Sequence, residues 1–233
     1  MIPWEMLDRA NIPGIGGELR LMQRGTEFSI MLGANELMNS RLSGSEEALA
    51  SLTATKLKNI PSPQVLIGGL GMGFTLRAAL RAYSSDSKII VAELVPAVVT
   101  WAKDHLKSVF EDCLDDPRVQ TQISDVFELI HASKTRFHAI LLDVDNGPDG
   151  LTHPKNDRLY NAKGVKFLLG ALIPGGVAAI WSARPDAKFT KILVSAGFTV
   201  EELSVRAHKG RSGAKHHIWL ASKPLHSHFA GTR

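Results

Sequence analysis

The chain has 233 residues, enough for one α/β domain with a sizeable core. Apolar residues make up 44% and charged residues 21%, which excludes a disordered chain. The single cysteine, Cys113, excludes a disulfide framework and a cysteine zinc site, and a net charge of +4 with a pI of 9.2 is too small to argue for nucleic acid.

Met1 to Ala10 carries Glu5 and Asp8 and lacks the charged-then-apolar pattern of a signal segment. No apolar run approaches the length of a membrane span, so a cytoplasmic protein without a membrane partner is expected. Residues 17–32 alternate around Gly25-Thr26 and read as a β-hairpin. A helix is expected from Ser45 to about Leu57, with Ser43-x-x-Glu46 resembling a capping box.

Val65 to Gly68 is a short apolar run that stops at a cluster of glycines, and an apolar-periodic segment follows through Leu76, Ala79 and Leu80. That pattern predicts a buried strand near 64–68, a tight turn and a helix over 74–83. A glycine turn before a helix lets a ligand approach the backbone and offers N–H groups and a positive dipole end. A nucleotide-like ligand is therefore expected at Gly69 to Gly73. The dinucleotide fingerprint fails, because its third glycine would fall on Phe74 or Leu76. The phosphate-loop pattern fails as well, since Phe74 stands where lysine is needed. What remains is G-x-G-x-G at Gly69, Gly71 and Gly73. This is the form met in the fold that binds S-adenosylmethionine (AdoMet), whose sulfonium ligand has no phosphate. A purely structural turn is the alternative.

The strand predicted at 88–92 ends in Glu93, 20 residues after Gly73, the spacing at which an acid reaches ribose hydroxyls in doubly wound folds. A helix over 95–107 follows, opened by Pro96. After a strand near 118–122, Asp125 can accept from an adenine amino group, cap the helix expected over 125–131, or do both. The strand at 137–142 runs into Asp143-Val144-Asp145-Asn146-Gly147-Pro148-Asp149-Gly150. Asp143 and Asp145 share a side if extended. Either carboxylate could hold an ammonium group or accept its proton, and an Asx-rich turn without a ligand is the alternative. EF-hand spacing is absent there, and His216-His217 would face opposite ways on a strand, so no metal is expected.

Tyr160 is a candidate lid at the substrate opening. A helix at 163–172, a strand at 176–181, a helix at 187–196 and strands near 198–205 and 215–222 complete the chain, the last two as an antiparallel edge hairpin. Arg206, His208, Lys209, Arg211 and Lys215 read as a solvated loop, and Trp181 and Trp219 as core. The expected architecture is an α/β, doubly wound, mostly parallel seven-stranded sheet. Residues 1–60 form an N-terminal hairpin-and-helix extension, 61–225 the ligand-binding domain and 226–233 a tail.

The glycine turn, Glu93, Asp116-Pro117-Arg118-Val119, Asp125, the Asp143 loop and Leu172-Ile173-Pro174-Gly175-Gly176-Val177 follow the order of the spermidine synthase family. The resemblance covers roughly residues 60–182. It implies the class I AdoMet-dependent methyltransferase fold, with Glu93 on the ribose, Asp125 near adenine and Asp143 near the amino end of the cofactor. That family carries D-[ST]-[ST]-D-P, whose second acid prepares the amine for attack. The matching position here is Asn146, with Asp145 one residue earlier. The family's Tyr-His-Glu stretch corresponds to Gly44-Ser45-Glu46-Glu47, which lacks the Tyr and His.

Asp143, Asp145 and Asn146 are thus the candidate catalytic residues, and Gly69, Gly71, Gly73, Glu93, Asp125 and Asp143 the candidate cofactor site. A sulfonium carbon is already activated, so the protein needs mainly to hold the nucleophile in line with it. Methyl transfer from AdoMet to a small acceptor is the first expectation. Aminopropyl transfer from decarboxylated AdoMet to a diamine is the alternative, for which Asp143, Asp145, Asp149 and Glu46 or Glu47 could supply carboxylates. A non-catalytic cofactor-binding protein is the third. The expected partner is a small acceptor such as an amine, and a homodimer is allowed.

Overall fold

The computed structural model describes residues 2–14, 16–58, 60–144, 157–208 and 214–225. The chain opens with four strands, β1 (Glu5–Asn11), β2 (Glu18–Arg24), β3 (Glu27–Leu32) and β4 (Asn35–Asn39), paired in sequence order as an antiparallel sheet. The expected hairpin is β2–β3, turning at Gly25-Thr26, and it gains a strand on each side.

After α1 (Gly44–Lys56) strands and helices alternate: β5 (Gln64–Gly68), α2 (Phe74–Ala82), β6 (Lys88–Glu93), α3 (Pro96–Lys103), α4 (Lys107–Phe110), β7 (Val119–Ile123), α5 (Val126–Ala132) and β8 (Phe137–Leu142). Then come α6 (Asp157–Tyr160), α7 (Ala162–Ala171), β9 (Leu172–Ser182), α8 (Ala187–Ala196), β10 (Thr199–Arg206) and β11 (Lys215–Ser222). The second sheet has the order β10-β11-β9-β8-β5-β6-β7. β5 to β9 are mutually parallel and β11 runs antiparallel between β9 and β10, the edge hairpin expected from the sequence.

Successive β-strand side chains face opposite layers, and β5 shows it. Val65 and Ile67 pack with Leu49, Leu76, Val98 and Trp101, while Leu66 packs with Val126, Val165 and Leu168. Both faces of the central strands are therefore buried, which is why they read as continuous apolar runs. The N-terminal sheet joins the first layer through Leu21, Phe28 and Ile30, and Trp101 Nε1 donates to Asp8 Oδ2 at 2.6 Å.

Several local expectations are corrected. The helix expected over 95–107 breaks at Asp104, whose ψ of −96° leaves the helical region, and Leu106 N–H reaches back to Trp101 O at 2.8 Å. β9 begins at Leu172 rather than 176, with the turn residues 173–176 absorbed as an irregularity opposite β8. Ser43 precedes α1 but makes no side-chain cap; its hydroxyl donates to Glu47 Oε1 at 2.9 Å, and Glu46 is turned elsewhere. No helix among the described residues is long and apolar enough to cross a membrane.

Candidate active site

Parallel strands β5, β6 and β8 end side by side, which brings Gly69–Gly73, Glu93 and Asp143 to one rim, where doubly wound sheets bind ligands. Gly69, Gly71 and Gly73 all have left-handed φ, at +87°, +53° and +77°. At two of them the packing is that of the structural turn weighed in the sequence. A Cβ on Gly69 would lie 2.4 Å from the Asp143 carbonyl oxygen, and one on Gly73 would lie 2.5 Å from the Phe110 ring. Both glycines are required by the protein's own packing, and the turn buries Leu70 and Met72.

The turn's donors also point inward. Gly69 N–H donates to Ala92 O at 2.9 Å and Gly73 N–H to Leu70 O at 2.8 Å. Leu70 N–H donates to Glu93 Oε2 at 2.9 Å, and Val95 N–H donates to Glu93 Oε1 at 2.8 Å. Glu93, only 7% exposed, thus clasps the β5–α2 turn to the start of α3. Burial pushes its carboxyl above the usual range, against the pull of these N–H groups. Engaged amides and a buried acid make a poor phosphate cradle. They suit a nucleoside without phosphate, whose hydroxyls can donate to the remaining lone pairs of Glu93.

A second cluster lies where α1 and α2 begin beside the end of β8. The Thr75 hydroxyl, in the first turn of α2, donates to Asp143 Oδ2 at 2.6 Å and lies 3.3 Å from the Glu46 carbonyl oxygen. Ser45 is fully buried; its hydroxyl donates to Glu46 Oε2 at 2.8 Å and lies 2.8 Å from His216 Nδ1 on β11. Burial, and next the charge of Asp143, raise the Glu46 carboxyl to about 7. Burial raises Asp143 to about 6, against the Thr75 hydrogen bond. Among the described residues neither acid pairs with a cationic side chain, so a cation arriving between them would be stabilised. Sequence reasoning missed Thr75, Ser45 and His216. Two hydroxyls and a histidine distant in sequence carry no local pattern.

Asp125 caps α5, accepting from Phe127 N–H at 2.9 Å through Oδ1, which is the structural half of its expected pair of roles. Its Oδ2 accepts from Arg158 of α6 at 2.5 Å, and Arg158 also reaches Glu128 and lies over the Phe127 ring. Tyr160 is not a lid. It is 5% exposed, stacks edge-on against Phe189 and points its hydroxyl at the Val144 carbonyl, 3.4 Å away. Asp116-Pro117-Arg118 is structural: Arg118 pairs with Asp116 at 2.8 Å and donates to Leu80 O at the end of α2. His216 and His217 do face opposite ways, His217 lying 3.0 Å from Glu202. Asp145, Asn146 and Asp149, like the tail 226–233, lie outside the described residues. No group of three or more metal-ligating side chains occurs among the described residues.

A polyamine aminopropyltransferase of Sulfolobus acidocaldarius is 30% identical over 137 residues, which are 58% of this chain and 44% of that protein. The chain thus spans less than half the length of the curated relatives it matches. A spermidine synthase structure from Thermotoga maritima superposes with a TM-score of 0.72 at 21% identity, covering 95% of this chain and 74% of that one. A Burkholderia thailandensis 1,6-didemethyltoxoflavin-N1-methyltransferase superposes with a TM-score of 0.54 at 19% identity, over 78% of this chain and 79% of that one. Those two likenesses establish the fold. The spermine/spermidine synthase domain matches residues 44–192, from the start of α1 into α8 and across the whole rim, and the chain belongs to that family.

Proposed function

We propose that this chain transfers an aminopropyl group from decarboxylated AdoMet to a diamine. The observation that carries the reading is the Glu46–Asp143 pair, two acids held together without a cationic partner among the described residues. A sulfonium donor with an ammonium arm and a cationic diamine both bring positive charge to such a place. AdoMet would bring a carboxylate as well, which two neighbouring acids repel. The decarboxylated donor lacks it. The relatives' names agree, since those from Sulfolobus acidocaldarius, Saccharolobus islandicus and Streptomyces coelicolor are polyamine aminopropyltransferases. Methyl transfer, the first expectation from the sequence, has behind it only a structural neighbour at 19% identity.

In this reading Gly69, Gly71 and Gly73 shape the floor for the nucleoside, Glu93 accepts from its ribose and Asp125 faces its adenine. Asp143 holds the cationic arm, and Asp145 and Asn146 line the acceptor side. The donor, when bound, supplies a carbon already activated by its positive sulfur. The protein's part is to bind both cations, orient the amine and exclude water.

Calorimetry with decarboxylated AdoMet, AdoMet and methylthioadenosine, followed by mass-spectrometric product analysis with putrescine and its longer homologues, tests the proposal. Preference for the decarboxylated donor and a product heavier by one aminopropyl unit are expected. Equal or tighter binding of AdoMet with methylated product would overturn it. Absence of binding to all three ligands would leave a non-catalytic protein.

A further inference from the structure

An aliphatic amine attacks carbon only as the free base, yet at neutral pH it is an ammonium ion. One proton must therefore leave the nucleophilic nitrogen in each turnover. By the family resemblance drawn from the sequence, Asn146 takes the place of the second acid of the loop, and an amide does not accept that proton. We propose, resting on the aminopropyl reading above, that Glu46 receives the proton of the attacking amine, with Ser45 and His216 as positioning residues behind it.

The geometry is that of an acid held from the rear. Glu46 sits in the first turn of α1, half-buried, with its backbone carbonyl and the Asp143 carboxylate both on the Thr75 hydroxyl. This fixes Glu46 beside the end of β8, where the cationic groups are expected. Its Oε2 accepts the Ser45 proton, so the Ser45 oxygen is left to accept from His216 Nδ1–H. That assigns His216 as a neutral imidazole protonated at Nδ1, in keeping with burial, which lowers its proton affinity. The His216 ring is fixed in turn by Trp181, edge-on at 4.7 Å. The other charged groups around Glu46 are Asp143, just past the end of β8, and Glu47 on α1, the latter 3.6 Å from Arg81 of α2.

Burial, and next the uncompensated charge of Asp143, give Glu46 a proton affinity far closer to neutral than an exposed carboxylate has. In the balanced step the ammonium N–H proton passes to a Glu46 oxygen. The freed nitrogen lone pair forms the bond to the aminopropyl carbon, and the carbon–sulfur pair stays on sulfur, giving the methylthioadenosine thioether. The proton leaves to water as the products depart. Ser45 and His216 never touch substrate; they hold the accepting carboxylate and tune its affinity.

Glu46→Gln is expected to bind methylthioadenosine within about twofold of the wild type while kcat with the diamine falls about a hundredfold or more. The rise of kcat with pH should disappear in this variant. Ser45→Ala and His216→Ala should move the midpoint of that rise with a diamine KM within a few-fold, and Ser45→Thr should restore it. Wild-type kcat and pH profile in Glu46→Gln would overturn the assignment while leaving the aminopropyl reading intact. A wild-type protein that binds methylthioadenosine but converts no diamine would overturn that reading and the role of Glu46 with it. If Glu46→Gln fails to fold, Ser45→Ala decides: an unmoved pH midpoint with intact nucleoside affinity would overturn the proposal.

Discussion

Glu93, expected from the sequence to meet the ribose of a ligand, has a structural task that the sequence does not suggest. Its place at a strand end reads directly from Lys88 to Glu93, and the structure adds that both oxygens hold backbone N–H groups of neighbouring turns. Removing the carboxylate therefore also removes a structural clasp. Glu93→Ala leaves two buried donors unsatisfied and should lower stability by about 2–4 kcal/mol, read from denaturant unfolding. Glu93→Gln keeps one carbonyl acceptor and should lose about half as much, while nucleoside affinity falls in both. Unchanged stability in Glu93→Ala would show that the clasp contributes nothing. Asp125 was legible for the same reason, as an acid before an apolar helix, whereas its pairing with Arg158 was not, because the partner lies 33 residues away.

At the level of elements, β5, α2 and β6 were legible because strands buried on both faces read as apolar runs bounded by glycine and acid. β1 and β4 were not. β1 exposes most of its residues on both faces and carries an irregularity between Met6 and Asp8, so no alternation marks it. The capping box failed because Ser43 serves Glu47, leaving Glu46 free for the site. The glycines divide by what surrounds them. Gly69→Ala places a methyl against the Asp143 carbonyl at a left-handed φ, so β5 and β8 must part at their tips. It should cost stability by more than about 2 kcal/mol and abolish nucleoside binding. Gly170, near the end of α7, has open space around it, and Gly170→Ala should raise stability by about 0.5–1 kcal/mol. Thermal melts of the two variants check both outcomes.

For the molecule as a whole, the site creates a pH dependence of known sign. Asp143 and Glu46 bind protons more tightly folded than unfolded, with folded values of about 6 and about 7. Their contribution to stability is fully present below their unfolded values near 4 and is lost as pH rises through 6 and 7. Asp86 and Asp116, held near 2 by hydroxyl, backbone and Arg118 hydrogen bonds, act oppositely and matter only in acid. The unliganded protein should therefore lose stability between pH 5 and 8 relative to the double variant Glu46→Gln/Asp143→Asn, as followed by melting temperature. Parallel curves for the two proteins would remove the pair from that balance.

The inward turn of the Gly69–Gly73 amides bears on inhibitor chemistry. If the proposed nucleoside reading holds, a 5′-phosphate would meet occupied donors and carboxylates, and AMP-like molecules are expected to be weak competitors. On the same reading a neutral thioether or a permanently cationic 5′ arm is expected to compete better, which inhibition assays with the two classes of adenosine derivative would check.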